Sequence, residues 1–370
     1  MKKKILFLIH DLGQGGAEKV LVNLVNNMDP EKFDITVTAL FGGGVNEQFL
    51  KPHIRLRTIY KHMIRGNSHL MKLLTPKQLH RMYVKEHYDI EVAYMEGPAS
   101  RVISGCTDPG TKRVSWIHVQ QNDMRGLSYA FRSEAEAREC YDRFHQVICV
   151  SEYVLQDFTG ILGYQKPCRV LYNTVESDKI LALSGEAAPG LADDGDVKLV
   201  AVGSLKASKG YNRLLGCIRR LREERYPIHL YILGLGPQRQ ELEKLCAESG
   251  ISDAVTFLGY DTNPYKYVSR CDLFVCASFA EGFSTAATEA LIVGTPVCTV
   301  EVSGMKEMLG YGNEYGLVTE NDEDALYAGL KKLLDDPALL SHYAKQAALR
   351  GKDFSTEETV RAVEEMLLKL

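Results

Sequence analysis

Paired cysteines, an excess of positive charge and long apolar runs are all missing from this sequence of 370 residues. Its nine cysteines are scattered, odd in number and never arranged as CxxC, so we expect reduced thiols rather than a disulfide framework. Cys271 and Cys276 have a metal-like spacing, but the apolar residues between them indicate a buried strand instead of a zinc site. With 44 Lys and Arg against 48 Asp and Glu, the net charge of −4 disfavours a general nucleic-acid binder.

Segments that would direct the chain into a membrane are also absent. No run approaches the roughly 18 apolar residues of a membrane span. The N-terminus has lysines followed by an apolar run, as signal peptides do, but the run is too short and no small-residue cleavage site follows. We therefore expect a protein that is made and kept in the cytosol.

What the sequence does contain is an alternation of short apolar runs with amphipathic stretches, which predicts parallel sheets covered by helices. Helices of the first half are predicted to start near Ala17, Lys77, Ser133 and Glu152. Strands are predicted near residues 4–9, 35–41, 89–95, 112–118, 146–150, 168–172, 197–203, 228–233, 254–258, 272–277 and 296–300. A small, acidic, turn-rich stretch at 184–196 interrupts the pattern and indicates a linker.

A chain of this length is expected to form two domains. The predicted fold class is therefore α/β, with two Rossmann-like doubly wound domains that face each other across a cleft. We place the first domain at 1–180, the linker at 181–194 and the second domain at 195–350. A helix at about 352–370 is predicted to cross back onto the first domain. Ligands of such sheets bind at the carboxyl ends of the strands, so the cleft is where chemistry is expected.

A glycine-rich turn follows the first predicted strand and opens a helix, with Gly13, Gly15 and Gly16 before Glu18. Backbone amides at such a helix start favour an anion. The turn is not a dinucleotide fingerprint, because Glu18 stands where Gly or Ala is required. The pair at Gly234 and Gly236 departs from the fingerprint in the same way. A tight turn without a ligand remains the alternative for both stretches.

A second candidate anion site follows the strand predicted at 272–277. Ser284 is a good N-cap, and the amides from Phe283 to Thr285 lie at the helix start. Glu281 precedes the helix and Glu289 lies inside it, so the two carboxylates can meet different parts of one elongated ligand. The alternative for Glu289 is a surface residue, but its neighbours are apolar on nearly every side. Lys209 lies at another strand–loop–helix corner and is suited to neutralising a phosphate.

At these residues the sequence resembles the retaining glycosyltransferases of family 4, which have the two-domain GT-B fold. The resemblance covers nearly the whole chain, and its most specific element is Glu-x7-Glu, matched by Glu281 and Glu289. Further family-like stretches are Gly15 to Glu18, Trp116 to His118, Val150 to Glu152, Tyr172-Asn173, Gly203 to Gly210, Phe257 to Gly259 and Gly304 to Glu307.

The resemblance implies a role for each site residue. Glu281 would contact the transferred sugar, Glu289 the ribose and Lys209 the diphosphate. His118 would lie beside the sugar, although a core histidine satisfied by the backbone is the alternative. Gly15 and Gly16 would shape the first-domain side of the cleft. Further donor-binding positions implied by the family pattern are Ser204, Gly259, Gly282, Phe283, Ser284 and Thr285.

The sequence departs from the family pattern at one position, where Ser204 replaces an arginine that would be a second cation for the diphosphate. Either Lys206 supplies the missing cation, or Ser204 contributes only a hydrogen bond to the diphosphate. No cofactor and no metal are expected, because Lys209 and helix dipoles would stabilise the leaving diphosphate. Two Asp-x-Asp pairs, at Asp194 and Asp322, lack the strand context of a metal site.

Between Lys51 and Lys85 there are nine Lys and Arg, four His and no acidic residue. In a net-acidic protein this segment predicts contact with anionic lipid head groups or a lipid diphosphate. A solvated basic face is the alternative.

These features together predict a retaining, metal-independent glycosyltransferase of surface polysaccharide synthesis. It would take a nucleotide sugar, with UDP the favoured nucleotide, and a glycan or lipid-linked acceptor. We expect a cytoplasmic protein, peripheral at the inner face of the membrane. Two alternatives stay open: a nucleotide-sugar epimerase or phosphorylase on the same scaffold, and a non-catalytic module that binds nucleotide sugars or glycans.

Overall fold

The structure is a computed structural model that describes residues 2–13, 15–62, 71–192, 195–302 and 304–370. The chain divides into two compact units. One comprises the residues up to Val175 together with Thr356–Leu370, and the other is Glu176–Ser355. Each unit is an α/β domain with one parallel sheet.

The first sheet is made of seven parallel strands in the order β3-β2-β1-β4-β5-β6-β7. Most of β1 and β2 and all of β4 and β6 are buried, as expected for strands covered on both faces. The strands are β1 (Lys3–Ile9), β2 (Phe33–Phe41), β3 (Arg55–Tyr60), β4 (Ile90–Ala93), β5 (Lys112–Ile117), β6 (Gln146–Cys149) and β7 (Cys168–Val170).

The second sheet has six parallel strands in the order β10-β9-β8-β11-β12-β13. Both sheets therefore reverse their strand order once, between β1 and β4 and between β8 and β11. The strands are β8 (Val197–Val202), β9 (Ile228–Leu233), β10 (Val255–Gly259), β11 (Leu273–Cys276), β12 (Val297–Val300) and β13 (Leu317–Thr319).

Helices connect the strands. Those of the first unit are α1 (Gly16–Asn27), α2 (Pro76–Tyr83), α3 (Pro98–Ile103), α4 (Met124–Ser128), α5 (Glu134–Tyr141), α6 (Glu152–Leu162) and α15 (Thr356–Leu368). Those of the second unit are α7 (Ser177–Ser184), α8 (Tyr211–Glu223), α9 (Arg239–Glu248), α10 (Tyr265–Val268), α11 (Thr285–Ile292), α12 (Met305–Leu309), α13 (Glu323–Asp335) and α14 (Pro337–Arg350). Short 3-10 helices are formed by Val45–Phe49, Ala207–Lys209 and Gly351–Phe354.

The C-terminal helix α15 packs on the first unit. Glu364 accepts hydrogen bonds from the backbone N–H of Asp29 at 2.6 Å and from Nζ of Lys32 at 3.1 Å. Thr356 Oγ1 donates to the carbonyl of Val175 at 2.8 Å. The prediction that the chain returns to the first domain is therefore confirmed.

The doubly wound α/β fold class predicted from the sequence is confirmed, with differences in detail. The edge strands β3 and β13 were not predicted. β3 contains Arg55 and Arg57 and has no buried residue, and β13 has only three residues. Residues 181–184, assigned to a linker, form the end of α7, while 193–194 lie outside the described residues. Within the described part of the chain, no helix is long and apolar enough to cross a membrane.

Candidate functional site

The candidate site of the second unit lies where β8 and β11 pair at the centre of the sheet. The chain order reverses between these two strands, so their connections leave toward opposite faces of the sheet. A crevice at the carboxyl ends of such strands is the usual ligand position in this architecture. The loop after β8 carries Ser204 and Lys209, and the loop after β11 carries Glu281.

Lys209 and Glu281 meet at this edge. Lys209 Nζ lies 2.6 Å from Glu281 Oε1, and the two side chains are 28% and 11% exposed. The hydroxyl of Ser278, which is buried, donates to the same carboxylate oxygen at 2.6 Å. The structure thus brings together two residues that are 72 positions apart in the chain and that the sequence predicted to share one site.

A close backbone approach holds the Lys209 loop beside β11. Gly210 has φ +65°, and a Cβ on it would collide with the carbonyl oxygen of Ala277. Phe279 also donates its backbone N–H to the carbonyl of Ser208 at 2.8 Å. A glycine is therefore required at 210 both for the left-handed conformation and for the contact.

The start of α11 has the features that the sequence predicted. Ser284 is the N-cap, and its hydroxyl accepts a hydrogen bond from the N–H of Ala287 at 3.3 Å. Gly282 and Phe283 are buried just before it, and the Phe283 ring packs against Phe354 with centroids 5.7 Å apart. The first amides of a helix, here beginning at Thr285, have no partner within the helix and form a positive dipole end.

Glu289 is buried on α11, with 6% of the residue exposed. Its Oε1 accepts a hydrogen bond from the hydroxyl of Tyr265 on α10 at 3.3 Å. The alternative of a solvated surface residue is therefore wrong, and Glu289 is held in place by at least one buried hydroxyl.

The other positions that the sequence predicted for donor binding lie around this edge of the sheet. Ser204 follows β8 and is partly exposed, while Lys206 is exposed two residues further on. Gly259 ends β10, has φ +79° and accepts a backbone hydrogen bond from Gly234 at 2.7 Å. Ser204, Lys206 and Gly259 therefore all lie at the carboxyl ends of β8 and β10.

His118 follows β5 in the first unit and is buried, with 6% of the residue exposed. Burial lowers the pKa of His118 to about 3, although a hydrogen bond with the Tyr94 backbone acts in the opposite direction. Nε2 of His118 has no hydrogen-bond partner among the described residues. The imidazole is therefore neutral at physiological pH, and since a carbonyl only accepts, Nε2 is left as an acceptor.

Gly15 and Gly16 are exposed at the start of α1, and Gly15 is its N-cap. A Cβ on Gly15 would collide with the carboxylate of Glu18, which therefore lies against this turn. Asp11 accepts a hydrogen bond from the Gly13 N–H at 2.8 Å. A hydrogen bond with His10 lowers the pKa of Asp11, so this carboxylate stays charged in the turn.

Two buried ionisable residues near these sites were not predicted from the sequence. Arg213 on α8 hydrogen-bonds the loop that carries Glu281. Glu96 follows β4 and accepts a hydrogen bond from the backbone N–H of His118 at 3.0 Å. Burial raises the pKa of Glu96. Its position after a buried strand was the signal available in the sequence.

The aspartates and cysteines whose spacing in the sequence resembles a metal site have structural roles in a helix cap, an ion pair and a strand. Asp322 caps α13, and Asp324 accepts a hydrogen bond from Arg220 at 2.6 Å. Cys276 ends β11 and Cys271 is buried just before it, as the strand interpretation predicted. Asp194 lies outside the described residues. Within the described ranges, the group of potential metal ligands that comes together is His80, Glu91 and Cys106.

The basic segment 51–85 includes residues 63–70, and with them Arg65, that lie outside the described residues. Arg55 and Arg57 both pair with Glu86, at 3.0 and 2.8 Å. Lys61, Lys72 and Lys77 are intermediate or exposed. Leu73, with 75% of the residue exposed, adds an apolar side chain to the same segment.

Comparisons with known proteins assign the family. The family model "Glycosyltransferase Family 4" matches residues 14–179, and "Glycosyl transferases group 1" matches residues 186–350. The chain is 28% identical over 383 residues to N-acetylgalactosamine-N,N'-diacetylbacillosaminyl-diphospho-undecaprenol 4-alpha-N-acetylgalactosaminyltransferase of Campylobacter jejuni, covering 99% of this chain and 100% of that protein. It is 25% identical over 331 residues to the lipopolysaccharide core biosynthesis glycosyltransferase LpsD of Rhizobium meliloti, covering 90% and 88%.

Solved structures agree on the fold. The crystal structure of Anabaena HepE in complex with UDP and glucose superposes with a TM-score of 0.79 at 19% identity, covering 100% of both chains. The two α/β domains, each with one parallel sheet, agree with the two adjoining family matches and with these relatives. The chain is therefore a glycosyltransferase with the GT-B fold and belongs to glycosyltransferase family 4.

Proposed function

We propose that this glycosyltransferase moves a sugar from a UDP-sugar to a glycan or lipid-linked acceptor in surface polysaccharide synthesis. The observation that carries the proposal is the Lys209–Glu281 pair, 2.6 Å apart at the switch point of the second sheet beside the start of α11. A cation and a helix N-terminus suit a diphosphate, and a carboxylate suits sugar hydroxyls.

The donor would bind along this edge. Lys209 and the amides at Phe283 to Thr285 would hold the diphosphate, and Glu289 would accept hydrogen bonds from the ribose. Glu281 would contact the transferred sugar. UDP as the nucleotide is supported by the likeness to HepE, whose crystal structures contain UDP.

We propose a mechanism in which configuration is retained and no metal takes part. As the bond to the leaving oxygen breaks, negative charge develops on the diphosphate. Lys209 and the α11 dipole would stabilise that charge, which is where preorganised donors have their largest effect. The neutral imidazole of His118 would accept a hydrogen bond at Nε2 from a hydroxyl group, either of the transferred sugar or of the acceptor substrate.

The acceptor side is proposed to involve a lipid carrier at the cytoplasmic face of the membrane. The Campylobacter relative is named for a diphospho-undecaprenol substrate. The basic segment 51–85, with exposed Leu73 beside Lys72, suits an anionic surface because cations attract the head groups and an apolar side chain enters them.

The proposal is tested by measuring UDP release from a panel of UDP-sugars with and without a short polyprenyl-diphosphate-linked sugar. Glu289→Gln should weaken UDP binding about tenfold, because a charge-assisted hydrogen bond to the ribose is lost. Glu281→Gln should leave UDP binding unchanged and reduce turnover. Glutamine keeps the shape of both side chains, so the Tyr265 hydroxyl retains its acceptor.

The same assay separates the alternatives. Interconversion of UDP-sugars without an acceptor would identify an epimerase, and phosphate-dependent sugar release would identify a phosphorylase. Binding of UDP-sugars with no turnover on any acceptor would favour a non-catalytic module. If both glutamine variants kept wild-type kinetics, neither Glu281 nor Glu289 would be part of the substrate-binding site.

A further inference from the structure

Arg213 is a buried guanidinium in the first turn of α8, with 6% of the residue exposed. A buried arginine is costly unless its donors are used, because the charge loses its hydration. It lies four residues after Lys209, on the helix that the Lys209 loop leads into. The groups that accept hydrogen bonds from its guanidinium therefore show which part of the fold it stabilises.

The guanidinium of Arg213 makes contacts in three directions. Nε donates to the carbonyl of Ala277 at 2.7 Å, and Nη2 donates to the carbonyl of Ser278 at 2.7 Å. Nη1 donates to Oδ1 of Asn321 at 2.7 Å. The central carbon of the guanidinium also lies 4.1 Å from the ring centroid of Phe279.

Three of these partners, Ala277, Ser278 and Phe279, form the first half of the loop that carries Glu281. Ala277 and Ser278 come directly after β11, where the ladder of the sheet has ended. Ser278 then bonds the Glu281 carboxylate through its hydroxyl at 2.6 Å. Arg213 thus holds the backbone of the residue whose side chain orients Glu281.

The same loop is tied to the Lys209 side of the site. Phe279 N–H donates to the carbonyl of Ser208, and Gly210 packs against the carbonyl of Ala277. Segment 208–213 therefore contacts three consecutive residues of the loop. Any shift of the loop against α8 would alter the Lys209–Glu281 distance of 2.6 Å.

We propose that Arg213 is a positioning residue of this enzyme: it fixes the loop 277–281 on α8 so that the Glu281 carboxylate meets Lys209. The inference rests on the proposed role of Glu281 at the transferred sugar. Arginine suits the task because its planar fork satisfies two carbonyls and an amide oxygen while it stacks on Phe279. Lysine offers one point charge without that geometry.

The test compares Arg213→Lys with Arg220→Lys, a matched change on the same helix. Arg220 bonds Asp324 at 2.6 Å and lies over the ring of Tyr327, and both of these partners are outside the loop 277–281. Arg213→Lys should lower kcat about tenfold with an unchanged UDP Kd, since Glu289 and the α11 start are untouched. Arg220→Lys should leave both constants unchanged.

A double variant decides whether Arg213 acts through Glu281. In the Glu281→Gln background, Arg213→Lys should reduce turnover by less than about twofold, because the carboxylate it positions is gone. A full tenfold loss in both backgrounds, or a rise in the UDP Kd equal to the loss of turnover, would overturn the proposal.

Hydrogen exchange supplies a readout that needs no turnover. The amides of 277–281 should exchange faster in Arg213→Lys than in Arg220→Lys, while the amides of β8 and β9 remain as in the wild type. Equal exchange of the loop in the two variants would overturn the positioning role. If the wild type fails to transfer any sugar, the proposed function fails, and the exchange result still shows whether Arg213 holds the loop.

Discussion

A buried ion pair in the first unit makes its stability depend on pH. His80 on α2 and Glu91 on β4 lie 2.8 Å apart between Nε2 and Oε2, with side chains 16% and 3% exposed. Burial alone would lower the pKa of His80. Hydrogen bonds with Cys106 and Glu91 and the charge of Glu91 outweigh it and raise the pKa to about 9. The folded protein therefore holds the His80 proton more tightly than the unfolded chain does.

The magnitude follows from the two pKa values of His80, 6.5 for an ordinary histidine and about 9 in the fold. Their difference corresponds to about 3 kcal/mol of unfolding free energy. Because the folded pKa is raised, this contribution is fully present below pH 6.5 and is lost as the pH rises through 9. At pH 8 less than half of this contribution should remain.

The chain offers a convenient probe for this unit. Trp116 is the only tryptophan, and it is buried on β5, so its fluorescence reports on unfolding of the first unit. Urea titrations of the wild type and His80→Gln between about pH 5.5 and 9.5 measure the effect. The wild type should lose about 3 kcal/mol more than His80→Gln over this range.

His87→Gln is the matched control, since His87 pairs with Asp108 on the surface, with side chains 60% and 43% exposed. It should follow the wild type at every pH. Parallel curves for the wild type and His80→Gln would contradict this prediction, because the His80–Glu91 pair would then hold no extra proton in the folded state.

Three further predictions concern the proposed activity. Transfer should survive EDTA because cations and amides would face the diphosphate, and loss of activity with rescue by manganese or magnesium would contradict this. Ser204→Arg should tighten UDP binding by about 1.5–3 kcal/mol before ordering costs, measured by calorimetry. Unchanged affinity would indicate either that Lys206 already fills the space or that this corner does not face the phosphates. Replacing Lys61, Arg65 and Lys72 with Glu should abolish salt-sensitive binding to acidic vesicles and lower activity on a lipid-linked acceptor more than on a short soluble one. If the triple variant bound vesicles as well as the wild type does, segment 51–85 would be a solvated basic face and not a membrane contact.

Local signals predicted the main elements of the fold. β9 was predicted at 228–233 and is found at Ile228–Leu233, because an apolar run between turn residues has few other uses in a globular chain. Ser133 and Ser284 were predicted at helix starts, and both accept a hydrogen bond from the third residue of the helix. β3 was not predicted, because an edge strand is partly exposed and does not need a run of apolar residues.

Neighbours a few positions apart were enough to predict the α/β alternation, the helix caps and the residue types at the ends of β8 and β11. Long-range packing, in contrast, brings Lys209 to Glu281 and Tyr265 to Glu289, and it keeps His118 neutral. The contacts of Arg213 cross 64, 65 and 108 positions of the chain and end mostly on backbone carbonyls, which every residue has. The sequence pattern does not predict these partners, because the free energy of a buried charge depends on which groups the packed fold brings around it.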